Sequence, residues 1–131
     1  MITVCFAWDV AQVDPLLEWR VWRQLRGAFA VDRLVAFPIS DEIEAAQINV
    51  EQYATAQEAL DTCQGTKVVL DPAGDPYVEL PAGDLTIVVG STLQDLSDCT
   101  GDCRVMLPTS SPVDLYGFNA AAVMLWEASL R

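Results

Sequence analysis

The chain has no histidine, and only seven of its 131 residues are basic, against 19 acidic ones. Without imidazole, Ser-His-Asp and Cys-His nucleophilic machinery is excluded, as is any zinc or iron centre that relies on histidine ligands. Chemistry is left to carboxylates, arginines, hydroxyls, thiols or a cofactor. The shortage of positive charge leaves a net charge of −12, which excludes an overall basic cradle for nucleic acid but not a local basic patch. Long apolar runs are missing too: AAAVMLW, seven residues near the end, is far short of the ~20 needed to span a bilayer, so no membrane contact is expected. No basic segment precedes MITVCFAW, and Asp9 interrupts it, so the start does not read as a signal peptide and a cytoplasmic protein is expected. The four cysteines, Cys5, Cys63, Cys99 and Cys103, are too few and too scattered for a secreted disulfide framework.

What is present is apolar bulk. A hydrophobic fraction of 52% over this length supports one domain with a real core, and no repeat, low-complexity tract or Gly/Ser linker divides residues 1–131. The charges are unevenly placed. Up to Val35 four acids (Asp9, Asp14, Glu18, Asp32) balance four arginines (Arg20, Arg23, Arg26, Arg33), whereas beyond it 15 acids face only Lys67, Arg104 and Arg131.

ITVCFAW predicts a buried strand that closes at Asp9. A helix is expected from Asp14, which can cap it, with Pro15 suited to its first position and Glu18 in its first turn. At about 100° per residue, Leu17, Val21, Trp22, Leu25, Ala28 and Phe29 share one arc, and Arg20, Arg23 and Arg26 lie opposite. RLVAFPI reads as a second strand ending at Pro38, and Ser40 to Gln47 as a loop or short helix. Val50 to Cys63 carries Ala54, Ala56, Ala59 and Leu60 at helical spacing, with Gly65 as a stop. KVVLD is a short strand, AGDPYVELPAGD a turn-rich connection and DLTIVVG a buried strand. A polar loop, GSTLQDLSDCTGDC, leads to a last strand, RVMLP, then to the loop TSSPVD and a final helix from about Leu115 to Leu130. This alternation predicts an α/β fold with a mostly parallel sheet flanked by helices and ligand sites at the carboxyl ends of strands.

Three strand-end segments stand out: IVVG ending in Gly90-Ser91-Thr92, VMLP ending in Leu107-Pro108, and Asp114-Leu115-Tyr116 running into Gly117 and Asn119-Ala120-Ala121-Ala122. In this order they resemble the C-terminal motifs of SPOUT methyltransferases, in the branch of the tRNA and rRNA ribose 2′-O-methyltransferases. The helix followed by AFAVDRLV also looks like that family's opening segment. The resemblance implies a C-terminal trefoil knot, an exception to the rule that chains do not thread loops. It implies S-adenosylmethionine held largely by backbone groups around Leu70, Gly90, Ser91, Leu107, Pro108, Leu115, Tyr116, Gly117, Asn119 and Ala120. It further implies a homodimer acting on tRNA or rRNA; DNA binding is not expected, and the residues themselves offer no metal site.

The sequence departs from the family where catalysis is concerned. Aligned on Val31, the family's helix asparagine and arginine fall at Glu18 and, six positions on, Gln24, while Thr92 replaces a glutamate and Tyr116 an asparagine. Arg20 and Arg23 are the candidates for the catalytic, phosphate-anchoring role, and Trp19, Arg20, Arg23 and Arg26 for RNA contact. The same arginines also read as a solvated helix face, and Trp19 equally as part of a dimer interface. A binding protein that keeps the knot without methyl transfer is the alternative these replacements leave open.

Cys99 and Cys103 are spaced like a metal half-site or a reversible disulfide, but with no histidine, and with Cys5 and Cys63 on separate elements, two free thiols are the default. Asp95, Asp98 and Asp102 read as a solvated acidic loop, and Asp71, Asp75 and Asp84, beside Pro or Gly, as turn residues.

Overall fold

The computed structural model describes residues 1–8, 14–76, 79–91, 94–107 and 117–131. Strand β1 (Ile2–Ala7) alternates between two hydrophobic clusters, with Val4 and Phe6 in one and Cys5 and Ala7 in the other. A strand buried on both faces belongs in a sheet interior. It pairs in parallel with β2 (Arg33–Phe37) on one edge and with β5 (Leu85–Val89) on the other. The two-residue β3 (Glu51–Gln52) extends the β2 edge, and β4 (Thr66–Pro76) and β6 (Cys103–Met106) extend the other. The result is an all-parallel, six-stranded sheet in the order β3-β2-β1-β5-β4-β6. Sequence reasoning thus has the fold class right: one α/β unit, a parallel sheet and helices on its faces.

The helices take sides. α1 (Pro15–Ala28), α2 (Asp41–Ala45) and α4 (Gly117–Ser129) bury Trp22, Ile43, Met124 and Leu125 in the cluster of Val4 and Phe6, while α3 (Ala56–Asp61) buries Ala59 and Leu60 in that of Cys5 and Ala7. Each of the first three helices in the chain opens on a side-chain cap. Asp14 accepts from the N–H groups of Leu16 and Leu17 at 3.0 and 3.3 Å, Ser40 from Glu42 at 3.2 Å, and Thr55 from Glu58 at 3.1 Å.

Three expectations need correction. Helix α1 is rotated about its axis: Trp22 stacks on Phe6 with centroids 4.2 Å apart, which places Glu18, Leu25 and Phe29 on the inner stripe and turns Leu17 outward, 50% exposed. Trp19 accordingly packs half-buried against the core instead of standing clear among the arginines, and Ala28 is exposed. The segment from Val50 is helical only from Ala56, because Glu51 and Gln52 pair with Val35 and Ala36 and Thr55 caps the helix late. Strand β4 runs past KVVLD to Pro76, since Asp75 and Pro76 rejoin Val105 and Met106 beyond an irregularity after Leu70.

The Phe6–Trp22 stack joins α1 to the sheet. Phe6→Ala is expected to lower unfolding free energy by ~3–5 kcal/mol in urea titrations. Arg23→Ala, on the outer face, is expected to stay within ~0.5 kcal/mol; equal effects would place the anchor of α1 elsewhere.

Candidate functional site at the carboxyl ends of β1 and β5

Adjacent strands β1 and β5 leave the sheet toward opposite faces. β1 leads to α1 on one side, and the segment after β5 buries Leu96 and Cys99 on the other. In an open parallel sheet such a reversal opens a crevice at the carboxyl ends of the two strands. On the β1 side stands Trp8, 4% exposed, its backbone N–H donating to the Phe37 carbonyl at 2.7 Å and its indole N–H without a partner among the described residues. On the β5 side Gly90 leads into a tight turn, in which Ser91 N–H donates to the Gln94 carbonyl at 3.1 Å and Gln94 N–H reaches the Ser91 hydroxyl at 3.2 Å.

The first residue of α4 closes on this turn. A Cβ on Gly117 would stand 2.7 Å from the Gly90 carbonyl oxygen, and one on Gly90 would stand 2.6 Å from the Gln94 oxygen. Both glycines are therefore required by backbone packed on backbone within the chain itself. The contact brings Gly90, Ser91 and Gly117 together. Leu70 lies within the adjoining core cluster, and Leu107 and Ala120 pack half-buried against it. Asn119 is exposed. Pro108, Leu115 and Tyr116, like Thr92, lie outside the described residues.

Sequence reasoning missed Arg104. Its guanidinium pairs with Asp71 and donates to the carbonyls of Leu96, at 3.0 Å, and Cys99, tying β4 and β6 to the segment that follows β5. The signal was available as an isolated arginine in an acidic stretch. Asp71 also makes the turn expected of it, accepting from Ala73 N–H at 2.9 Å. Asp95 and Asp102, read as solvated acids, accept the backbone N–H groups of Ser97 and Lys67, both at 2.7 Å. Cys99 is buried and Cys103 exposed, and burial pushes both thiols up.

The arginine face lies apart from the strand ends. Arg20 and Arg23, with Leu17, Val21 and Gln24, line a shallow, open concavity on α1, and neither arginine has a hydrogen bond or ion pair among the described residues. Arg26 is partly committed, donating to the Asp32 carbonyl at 3.3 Å. Glu18, at the family's asparagine position, is turned inward and 4% exposed, while Gln24 faces solvent. The described residues thus bring Gly90, Ser91 and Gly117 together and group Arg20 with Arg23, and among them the two groups do not share a pocket.

Compared with known families and with curated proteins, the chain matches neither a family model nor a curated protein.

The Gly90–Gly117 contact has a direct test. Gly117→Ala is expected to cost ~1–3 kcal/mol in chemical denaturation, as overpacking does. Gly27→Ala, in α1 with nothing within 4 Å of its Cβ, is expected to stabilise by ~0.5–1 kcal/mol. A neutral Gly117→Ala would mean that α4 does not start on β5.

Proposed function

We propose that the chain is an S-adenosylmethionine-dependent RNA methyltransferase of the ribose 2′-O type, acting on tRNA or rRNA and built on the knotted SPOUT fold it resembles. The observation that carries this reading is the seating of Gly117 on Gly90 at the sheet's reversal point. To arrive there, the chain passes from β5 across β4 to the edge strand β6, then returns to begin α4 at the end of β5.

The residues present suit the cofactor. Half-buried Gly90 and Ser91 offer backbone groups, Leu107 an apolar wall, and the buried Trp8 indole, at the same sheet edge, a donor with no partner among the described residues. When bound, S-adenosylmethionine supplies a methyl on a cationic sulfur. The chain's own contribution is to position the acceptor: Arg20 and Arg23, free to take phosphate oxygens, hold the RNA backbone so that one ribose hydroxyl is aimed at the strand ends.

That geometry needs a second protomer. Leu16 and Leu17 on α1 and Val123, Trp126 and Leu130 at the C-terminal end are exposed large apolar residues, and α1 packs against α4. Burying this surface in a homodimer brings one protomer's arginines toward the other's strand ends. The inward turn of Glu18 supports a second reading, in which the chain binds cofactor or RNA through the same surfaces without transferring a methyl group.

Calorimetric titration with S-adenosylmethionine, followed by incubation with radiolabelled cofactor and bulk tRNA and rRNA, tests both. The enzyme reading expects binding and label in RNA ribose. Binding without label favours the second reading, and no binding contradicts the cofactor in both. Arg20→Ala with Arg23→Ala is expected to abolish RNA association, leave cofactor affinity unchanged and, in partial single variants, lower the salt dependence by about one counterion per arginine. Unchanged RNA affinity would remove RNA from this face.

A further inference from the structure

The thiols of Cys5, on β1, and Cys63, just beyond α3, lie 3.7 Å apart although 58 positions separate them in sequence. They sit on the face of the sheet opposite α1 and α4. The carbonyl of Gln64, next to Cys63, accepts from the Thr86 hydroxyl near the start of β5, so the pair lies away from Gly90.

The Cys63 sulfur lies 3.6 Å from Arg33 Nη1, 3.7 Å from the Cys5 sulfur and 3.9 Å from the Thr62 hydroxyl, and while protonated it donates to the Ala59 carbonyl at 3.2 Å. Arg33 is itself fixed, by Glu51 at 2.6 Å and by the Thr62 carbonyl and hydroxyl at 3.2 and 3.1 Å, so its positive charge is held beside the sulfur. The hydrogen bond from Cys5 is the main influence lowering the Cys63 pKa, to about 6; burial opposes it, and Thr62 and Arg33 add to it. Cys5, fully buried and hydrogen-bonded to Cys63, is pushed up. The arrangement thus favours loss of the proton from Cys63 and its retention on Cys5.

We propose that Cys63 and Cys5 form a peroxide-reactive site in which Cys63 is the attacking thiolate and Cys5 the resolving thiol. Cys63 sulfur attacks one peroxide oxygen; an S–O bond forms, the O–O bond breaks, and the leaving hydroxide takes a proton to become water. The Cys5 sulfur then attacks the sulfenic sulfur of Cys63; the S–S bond forms, the S–O bond breaks, and the departing hydroxide leaves as water with the Cys5 proton. Two electrons pass from the thiols to one hydrogen peroxide, and a dithiol reductant restores the pair. Cys63 is only 8% exposed, which suits a small oxidant such as hydrogen peroxide and disfavours bulky disulfides. The product staples the central strand to the end of α3.

Treating the reduced full-length protein with hydrogen peroxide, then blocking free thiols and mapping peptides by mass spectrometry, tests this on the natural sequence. The expected product has lost two hydrogen atoms, carries a Cys5–Cys63 disulfide, and leaves Cys99 and Cys103 blocked as free thiols. Cys5→Ser is expected to accumulate a dimedone-reactive sulfenic acid on Cys63. Oxidation that begins at exposed Cys103, a Cys99–Cys103 disulfide, or a folded protein whose Cys5 and Cys63 stay reduced would overturn the proposal.

Discussion

Strand β1 must be paired on both edges and covered on both faces, and the rest of the molecule follows from how that is achieved. Its first residues are pinned between the two segments that lead into its neighbours. The N-terminal ammonium meets Asp84 at 2.7 Å and the Met1 carbonyl accepts from Leu85 N–H at 2.9 Å; on the other side, Ile2 N–H donates to the Asp32 carboxylate at 2.7 Å and Asp32 N–H donates to the Ile2 carbonyl at 2.8 Å. Because these contacts start β2 and β5 level with β1 and all three run parallel, their carboxyl ends finish at one edge of the sheet. Trp8 and Gly90 are neighbours at that edge for this reason, and α4 begins there because only glycine at 117 lets it rest on the Gly90 carbonyl.

The scarcity of basic residues takes on meaning once each is placed. Arg33 is committed to Glu51, Thr62 and Cys63, Arg104 to Asp71 and two carbonyls, Arg26 to the Asp32 carbonyl and Arg131 to the Pro81 carbonyl. Of the six arginines, Arg20 and Arg23 alone have no partner among the described residues. In a chain of net charge −12, two uncommitted cations on one helix face form a local exception to a repulsive field, suited to a narrow, salt-sensitive contact with an anionic chain.

Elements governed by local chemistry were legible in the sequence. Asp14 and Pro15 marked the start of α1, the apolar runs marked β1, β2 and β5, and Asp71 was recognisable as a turn residue. Features set by distant contacts were not. Glu51 and Gln52 carry no apolar alternation and form a strand only because β2 offers an open edge. The rotation of α1 depends on Trp22 meeting Phe6, so an arc drawn from hydrophobicity alone misplaced Leu17 and Trp19. Thr55 and Glu58 form a capping pair that would have started α3 correctly. Of the strand-end set, Gly90 and Ser91 come together with Gly117, where the glycines serve the chain's own close packing, and nothing local announced the Cys5–Cys63 pair.

The proposed function requires that the end of β5 and the start of α4 hold the adenosyl ligand while the arginine face serves another purpose. Amide chemical-shift mapping during a titration with S-adenosylmethionine tests it most directly. Saturable shifts are expected at Gly90, Ser91, Leu107 and Gly117, with Arg20, Arg23 and Gln24 unmoved. Shifts confined to the α1 concavity, or none at ligand concentrations well above those of the protein, would contradict it.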